Sequence, residues 1–187
     1  MRQKMNTTRT PHYQGSMKHP LALFLLLFLP GMADAQTEVL QDSTTRSIDA
    51  TVWRPFVRAF NAQNADAYLT LHAMNVVRWP LGWGAPQVGD SVRVQTRRQW
   101  SNPKHADEHR VMDLGFTHRS HTDSFAYDVG YYRVTVTDGD GTKKEHVGLF
   151  NVILGREDGR WKIFLDADNG EGVVPEDLKK GVALVPD

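Results

Sequence analysis

The apolar residues of this chain change their spacing half-way along the sequence, and that change limits the folds open to it. Ile48, Val52, Phe56 and Phe60 recur every four residues, which predicts a helix over about 43–63. In the second half, apolar and polar residues alternate, which predicts strands. Helices followed by an antiparallel meander indicate an α+β fold, with the helices on one face of a curved sheet.

Turn and cap residues divide the first half into further elements. A short helix is expected after Asn64, because asparagine is a common N-cap residue. A strand is expected over 75–79, and a third helix from about residue 89 to Trp100. Pro103 follows this helix closely and predicts its end.

The second half has the turn signals of a strand meander. Asp138–Gly141 is a strong hairpin signal, because aspartate and glycine adopt the backbone angles of tight turns. Gly130 and Gly148 lie inside two long strands and predict bends or bulges. The expected strands cover 112–116, 124–137, 143–156 and 161–168.

Both faces of the long central strand carry large apolar groups. Phe125 and Tyr127 share one face, while Tyr132 and Val134 share the other. Antiparallel sheets usually leave one face to water, so apolar groups on both faces indicate that the second face is also covered. A second copy of the same sheet is the simplest cover, and the sequence therefore predicts a homodimer.

Residues 1–35 have the pattern of a signal peptide. Basic residues precede the apolar run Leu21–Leu29, and Ala33 and Ala35 occupy the small-residue positions that a signal peptidase reads. A spanning helix needs about 20 apolar residues, so this run predicts no stable membrane anchor. Export to the periplasm or beyond is expected, with cleavage before Gln36.

Charge and composition limit the classes of partner that the chain after residue 35 is expected to bind. Loss of residues 1–35 removes four basic side chains and one acidic one from a chain with 22 of each, leaving a net charge near −3. Nothing in this mixed-sign balance favours a nucleic-acid partner. The chain has no cysteine, so its stability must come from its core. We expect a flexible lead-in over 36–47, one domain over 48–169 and a C-terminal tail over 170–187, with one helical turn at 175–179.

Four short motifs carry a resemblance to a known superfamily: Asp128–Tyr132, Gly148–Phe150, Asp158–Ile163 and, in the first helix, Phe56–Ala67. They resemble the NTF2-like superfamily, in its SnoaL-like and DUF4440-type branch, over about residues 48–169. The resemblance implies a cone in which three N-terminal helices pack on a strongly curved antiparallel sheet and enclose a pocket.

This superfamily includes isomerases, dehydratases, cyclases, an epoxide hydrolase and transport or assembly adaptors, so its fold does not determine a function. Its catalytic members use inward-facing Asp, His, Tyr or Arg side chains in an apolar cone, where burial shifts pKa values. No member's complete catalytic set matches this sequence. The resemblance implies no cofactor.

Asp128 is the first candidate for chemistry. It shares a strand face with Tyr132, beside Gly130, on a strand expected to line the cone. A carboxylate in an apolar pocket can act as a general base, with Tyr132 or a histidine as its partner. The alternative is an ion pair with an arginine on a neighbouring strand, such as Arg110, because structural ion pairs resemble functional carboxylates.

Asp166 and Asp168 lie on one face at the end of the last strand, where two carboxylates could bind a cation or share a proton. The alternative is that they flank the mouth of the pocket or cap a turn. No metal site is expected. His105 and His109 have the spacing of an inverted zinc-protease motif, but Pro103 argues against the helix that this motif requires.

Three tryptophans are candidates for the wide end of the cone. Trp79 and Trp100 come from the expected strand and third helix, and Trp83 lies between two glycines in a loop. Aromatic rings there could hold a flat apolar ligand, or they could simply pack in the core.

The sequence therefore favours an exported domain that binds a small, largely apolar molecule in its cone. An isomerase, dehydratase or hydrolase with Asp128 as base is one alternative. The other is a protein-interaction module that uses the open face of the sheet.

Overall fold

The structure is a computed structural model that describes residues 42–185 with the exception of Trp83. The signal peptide predicted over 1–35 lies outside the described residues. None of the helices in the described part of the chain has the length and apolar character needed to cross a membrane.

The first helix, α1, consists of the consecutive segments Ser43–Ile48, Asp49–Trp53 and Arg54–Asn61. The middle segment is a π-helical turn, closed by the bond from the Arg54 amide to the Asp49 carbonyl. Residues four apart drift by about 40° around an α-helix, and the wider π turn reverses this drift, so the apolar stripe stays on one side. The helix begins inside the segment expected as a lead-in.

The other helices are shorter. Asn64 caps α2, Ala65–Leu69, because its side chain accepts a hydrogen bond from the Ala67 amide at 3.0 Å. The helix α3 covers Asp90–Trp100. Since α2 is little more than one turn, the helical layer is smaller than the three helices implied by the resemblance.

Seven strands form one sheet in the order β2-β1-β6-β5-β4-β3-β7. Neighbouring strands are antiparallel, except that β1 and β6 run parallel. The strands are β1 (His72–Pro80), β2 (Gln87–Val88), β3 (His109–His121), β4 (Phe125–Thr137), β5 (Lys143–Glu157), β6 (Arg160–Asn169) and β7 (Val182–Ala183).

The expected α+β fold is confirmed, and the strands of the meander lie where the alternation predicts them. The sequence did not indicate β2, β7 or the parallel pairing of β1 with β6. In the segment expected as a tail, a 3₁₀ turn over Pro175–Lys180 precedes β7, which adds to the sheet beside β3.

The glycines of the central strands serve two different purposes. Gly130 lies opposite a bulge in β3, as expected, and a methyl group there would come within 2.2 Å of the Gly115 carbonyl oxygen. The pairing of β4 with β5 has no bulge at Gly148. A methyl group at Gly148 would lie 2.5 Å from the Tyr132 hydroxyl, so this glycine makes room for the tyrosine rather than bending the strand.

The core lies between the helices and one face of the sheet. It combines the α1 stripe with inward-facing strand residues, among them Ile48, Val52, Trp53, Phe56, Leu114, Phe116, Phe150, Val152, Leu154 and Ile163. On the opposite face of the sheet Phe125 is 60% exposed, and Tyr127 and Ile153 are also exposed.

Candidate functional site

A cavity of about 170 Å³ lies between the helices and the inner face of the sheet, and we call it the cone cavity. A cavity of about 150 Å³ can hold a benzene molecule, so the space fits a molecule of about one ring. Eight of its lining residues are apolar: Trp53, Phe56, Phe60, Met112, Leu114, Val134, Phe150 and Val152.

The remaining lining residues form one polar group, which we call the cavity cluster: Tyr68, Arg78, Tyr132, Asp166 and Asp168. The parallel pairing of β1 with β6 builds most of it. Arg78 pairs directly with Asp166, and Pro80 pairs with Asp168, so both carboxylates lie beside the arginine.

Arg78 is the centre of the cavity cluster. Its Nη2 donates to Asp168 Oδ2 at 3.2 Å, and its Nη1 donates to the Tyr68 hydroxyl at 3.3 Å. Its Nε lies 4.0 Å from Asp166 Oδ2, which is an ion-pair distance without a hydrogen bond. One cation thus faces two carboxylates.

Burial shifts the protonation of the cavity cluster. It raises the pKa of Asp168, and Asp166 adds to this shift, while Arg78 opposes it. Burial also raises the pKa of Tyr132 to about 12 and that of Tyr68 further. Both phenols are therefore neutral hydrogen-bond donors near neutral pH.

Asp166 is the least satisfied member of the cavity cluster. It is only 7% exposed, it lines the cavity, and none of the described residues donates a hydrogen bond to its carboxylate. Buried carboxylates are normally hydrogen-bonded, because an unsatisfied one loses its hydration without replacement. The Tyr132 hydroxyl likewise has no hydrogen-bond partner among the described residues. The cavity therefore offers both an acceptor and a donor.

Asp128 lies elsewhere, in a second group that we call the core cluster: Asp49, Trp53, Arg119 and Asp128. Arg119 Nε donates to Asp128 Oδ1 and its Nη2 donates to Oδ2, both at 3.0 Å. The Trp53 indole nitrogen donates to Asp128 Oδ2 at 2.7 Å, and Arg119 Nη1 donates to Asp49 Oδ1 at 2.7 Å.

These contacts correct the role predicted for Asp128. The residue is 1% exposed, does not line the cone cavity, and has both oxygens occupied. It is an ion-paired core residue, which was the alternative. Its partner is Arg119, however, and Arg110 binds Glu108 instead, at 2.7 Å.

Of the predicted pocket residues, Tyr132, Asp166 and Asp168 line the cavity, whereas Trp79 and Trp100 do not. Trp79 is exposed on β1. Trp100 lies behind the wall, with its ring 4.7 Å from that of Tyr68. Trp83 lies outside the described residues.

His72 supports the cavity cluster from behind. Its ring lies 4.5 Å from that of Tyr68, and its Nδ1 donates to the Tyr68 carbonyl at 2.9 Å. Burial lowers the pKa of His72 to about 4, so the ring is neutral. Over residues 42–185 without Trp83, no group of three or more acidic or histidine side chains could hold a metal ion.

Solved structures with a similar fold identify this architecture, although sequence comparison does not. Neither a protein-family model nor a curated protein matches the sequence. Among solved structures, an NTF-2 like protein of unknown function from Shewanella oneidensis aligns with a TM-score of 0.56 at 17% identity, over 67% of this chain and 98% of that one. A ketosteroid isomerase-like protein from Erwinia carotovora atroseptica aligns with a TM-score of 0.56 at 14% identity, over 71% and 100%. The protein Aln2 from a Streptomyces species aligns with a TM-score of 0.58 at 10% identity, over 70% and 93%.

The chain has the NTF2-like fold. The cone expected from the four motifs is thereby confirmed, whereas the assignment to a DUF4440-type branch stays a prediction. At these identities the likeness concerns the fold alone.

Within the NTF2-like cone, sequence reasoning missed Arg78, Tyr68 and the cavity wall formed by Trp53. Arg78 lies on β1, and the parallel pairing of β1 with β6 brings it beside Asp166 and Asp168. Tyr68 lies on α2 and joins this group through the hydrogen bond that it accepts from Arg78. No local pattern announces that pairing. Trp53 carried a usable signal, because it precedes Phe56 by three residues and so falls on the apolar side of α1.

Proposed function

We propose that the protein binds a small, largely apolar molecule of about one ring in the cone cavity, with a hydrogen-bond donor or cationic group of that molecule on Asp166. The observation that carries this proposal is the carboxylate of Asp166, which is buried, faces the cavity and receives no hydrogen bond from a described residue.

The charges of the cavity cluster favour the same ligand. Arg78 is already hydrogen-bonded to Asp168 and Tyr68, so it offers little to an anionic ligand. Asp166 is left as the acceptor with the largest unmet demand. A ligand N–H or O–H placed there supplies the hydrogen bond that no described residue gives this carboxylate, while the aromatic walls contact its ring.

The test compares two probes of equal shape, benzylamine and ethylbenzene, by the quenching of tryptophan fluorescence in the purified protein. A hydrogen bond to a charged group contributes about 1.5–3 kcal/mol, so benzylamine should bind at least about tenfold more tightly. In Asp166→Asn this preference should disappear. Asp158→Asn, in an exposed turn, is the matched control and should keep it.

Two results would contradict the proposal. One is equal binding of the two probes by the unaltered protein. The other is a preference for benzylamine that survives in Asp166→Asn.

An enzyme is the second candidate function, and the free hydroxyl of Tyr132 favours it. A carboxylate without hydrogen bonds and a neutral phenol in one apolar cavity can move a proton and stabilise the oxygen that receives charge. This arrangement suits an isomerase or dehydratase, with Asp166 rather than Asp128 as base. Deuterium exchange next to the carbonyl of a cyclic ketone, lost in Asp166→Asn, would support it.

We further propose that the protein is exported and forms a homodimer. The N-terminal pattern of basic, apolar and small residues supports export. The exposed Phe125, Tyr127 and Ile153 on the outer sheet face support a second copy as their cover. Light scattering separates this from an interaction module, which would be monomeric until its partner is added.

A further inference from the structure

A second cavity, of about 460 Å³, lies where α1 and the residues after α2 meet the β5–β6 hairpin. It shares no lining residue with the cone cavity. Its lining residues are Ser47, Thr51, Thr70, Leu71, Arg156, Gly159, Arg160, Trp161 and Lys162. Three of these are cations and none is acidic, and the acidic residues of the hairpin turn, Glu157 and Asp158, do not line the cavity.

Two of the cations are held in place by neutral groups. The Arg156 guanidinium lies 4.4 Å from the centre of the Trp161 ring, and it donates to the carbonyls of Asp123 at 3.0 Å and Gly159 at 2.8 Å. The Lys162 ammonium donates to the Thr70 carbonyl. Because carbonyls carry no net charge, these bonds orient the cations and leave their positive charge uncompensated.

The rest of the cavity wall adds donors and no acid. The side chain of Arg160 is exposed and makes no hydrogen bond or ion pair with the residues that the structure describes. The indole nitrogen of the buried Trp161 also has no acceptor in the described part of the chain. Like charges gathered without a counter-charge repel one another, and a bound anion would relieve that repulsion.

We propose that this cavity binds a doubly charged oxyanion, namely a phosphate group. The planar fork of the Arg160 guanidinium matches the oxygens of a phosphate, and the remaining N–H groups of Arg156 and the Lys162 ammonium supply positive charge beside it. Two of the three cations are already oriented, so binding costs little side-chain entropy.

The test titrates the purified protein with inorganic phosphate near pH 8, where phosphate carries about two charges. Thermal unfolding and tryptophan fluorescence are followed, with sodium chloride at equal ionic strength as reference. Phosphate should raise the unfolding midpoint above that in chloride, since a ligand of the native state stabilises it. Arg160→Glu should weaken phosphate binding at least about tenfold, because it places a negative charge at the site.

Two variants control for the change of charge. Arg160→Lys keeps the positive charge and should retain binding. Arg98→Glu makes the same charge change on an exposed face of α3 and should bind phosphate like the unaltered protein. Equal effects of phosphate and chloride, or an Arg160→Glu variant that binds normally, would overturn the proposal.

Vesicles that contain phosphatidic acid distinguish the source of the phosphate group. Co-sedimentation that free phosphate abolishes identifies a lipid headgroup, whereas binding of free phosphate without co-sedimentation identifies a soluble phosphate. Failure of both probes to bind rejects the site.

Discussion

The core cluster and the cavity cluster are built from the same parts, one arginine and two aspartates, yet they differ in what they leave open. In the core cluster, Arg119 is 5% exposed and bonds both Asp128 oxygens and Asp49. In the cavity cluster, the side chain of Arg78 is 32% exposed, and Asp166 receives no hydrogen bond from a described residue. The two clusters therefore differ in the completeness of their hydrogen bonds rather than in their charged residue types.

The difference arises from what covers each arginine–aspartate pair on the inner face of the sheet. Arg119 and Asp128 face each other across the β3–β4 hairpin, and α1 closes over them with Asp49 and Trp53. Arg78 and Asp166 face each other across the β1–β6 pair, and the cone cavity lies beside them. The same ladder geometry therefore becomes a core in one place and a site in the other.

The largest loss of stability should come from removing an aspartate of the core cluster, and the matching substitution in the cavity cluster should have a small effect. Asp128→Ala leaves Arg119 with only Asp49 as a charged partner in a buried site, and breaking a buried pair costs about 3–5 kcal/mol of unfolding free energy. Asp166→Ala removes a carboxylate that no described residue hydrogen-bonds, and it should change stability by less than about 1 kcal/mol. Urea unfolding of both variants measures the difference. Equal losses in the two would show that the clusters are energetically alike.

Lowering the pH should reduce the free energy of unfolding, because the buried His72 resists protonation in the native state. Its pKa is lowered to about 4 from an ordinary value of 6.5, mainly by burial, while Asp166 opposes this shift and Arg78 and Arg93 add to it. Between these values the unfolded chain binds a proton that the native chain does not, so stability falls as the pH drops. The loss should reach on the order of 3 kcal/mol.

Unfolding titrations from neutral pH down to about pH 4 measure this effect. His72→Asn should make the pH dependence shallower, because asparagine keeps a donor for the Tyr68 carbonyl without the titrating ring. His118→Asn, at an exposed position, is the matched control and should leave the slope unchanged. An unaltered slope in His72→Asn would exclude His72 as the source.

The smallest effect should come from filling the space beneath Tyr132. In Gly148→Ala the new methyl group meets the Tyr132 hydroxyl at 2.5 Å, so the ring must move, at a cost of about 1–3 kcal/mol. In a Tyr132→Ala background the same substitution should cost nothing. A double-mutant cycle measures this coupling. Additive effects would show that Gly148 serves the strand and not the tyrosine.

Much of the fold could be predicted from sequence because its signals are local. The period of α1, the cap at Asn64 and the turn at Asp138–Gly141 each lie within a few residues. The parallel pairing of β1 with β6 joins segments about ninety residues apart, and β2 and β7 are two residues long. Short or distant pairings leave no periodic pattern to detect.

The candidate site was half predictable for the same reason. Asp166, Asp168 and Tyr132 stand out as polar groups on apolar strands. Arg78 becomes part of the site only because its strand pairs with β6, which is distant in the sequence. The partner of Asp128 was within reach. Counting back from the tight turn that follows His121 places Arg119 opposite Asp128, whereas Arg110 lies far along the strand pair, opposite Val136.

Trp53 links the core cluster to the cone cavity, since its indole nitrogen donates to Asp128 while its ring lines the cavity. One wall of the cavity is therefore fixed by the same bonds that hold the fold together, and it cannot be changed without loss of stability. The cavity residues on β1 and β6 make no hydrogen bond to the core cluster among the described residues. The polar lining formed by Arg78, Asp166 and Asp168 can therefore change in evolution while the tryptophan wall stays constant, so the chemical character of the cavity is open to change mainly from the β1–β6 side.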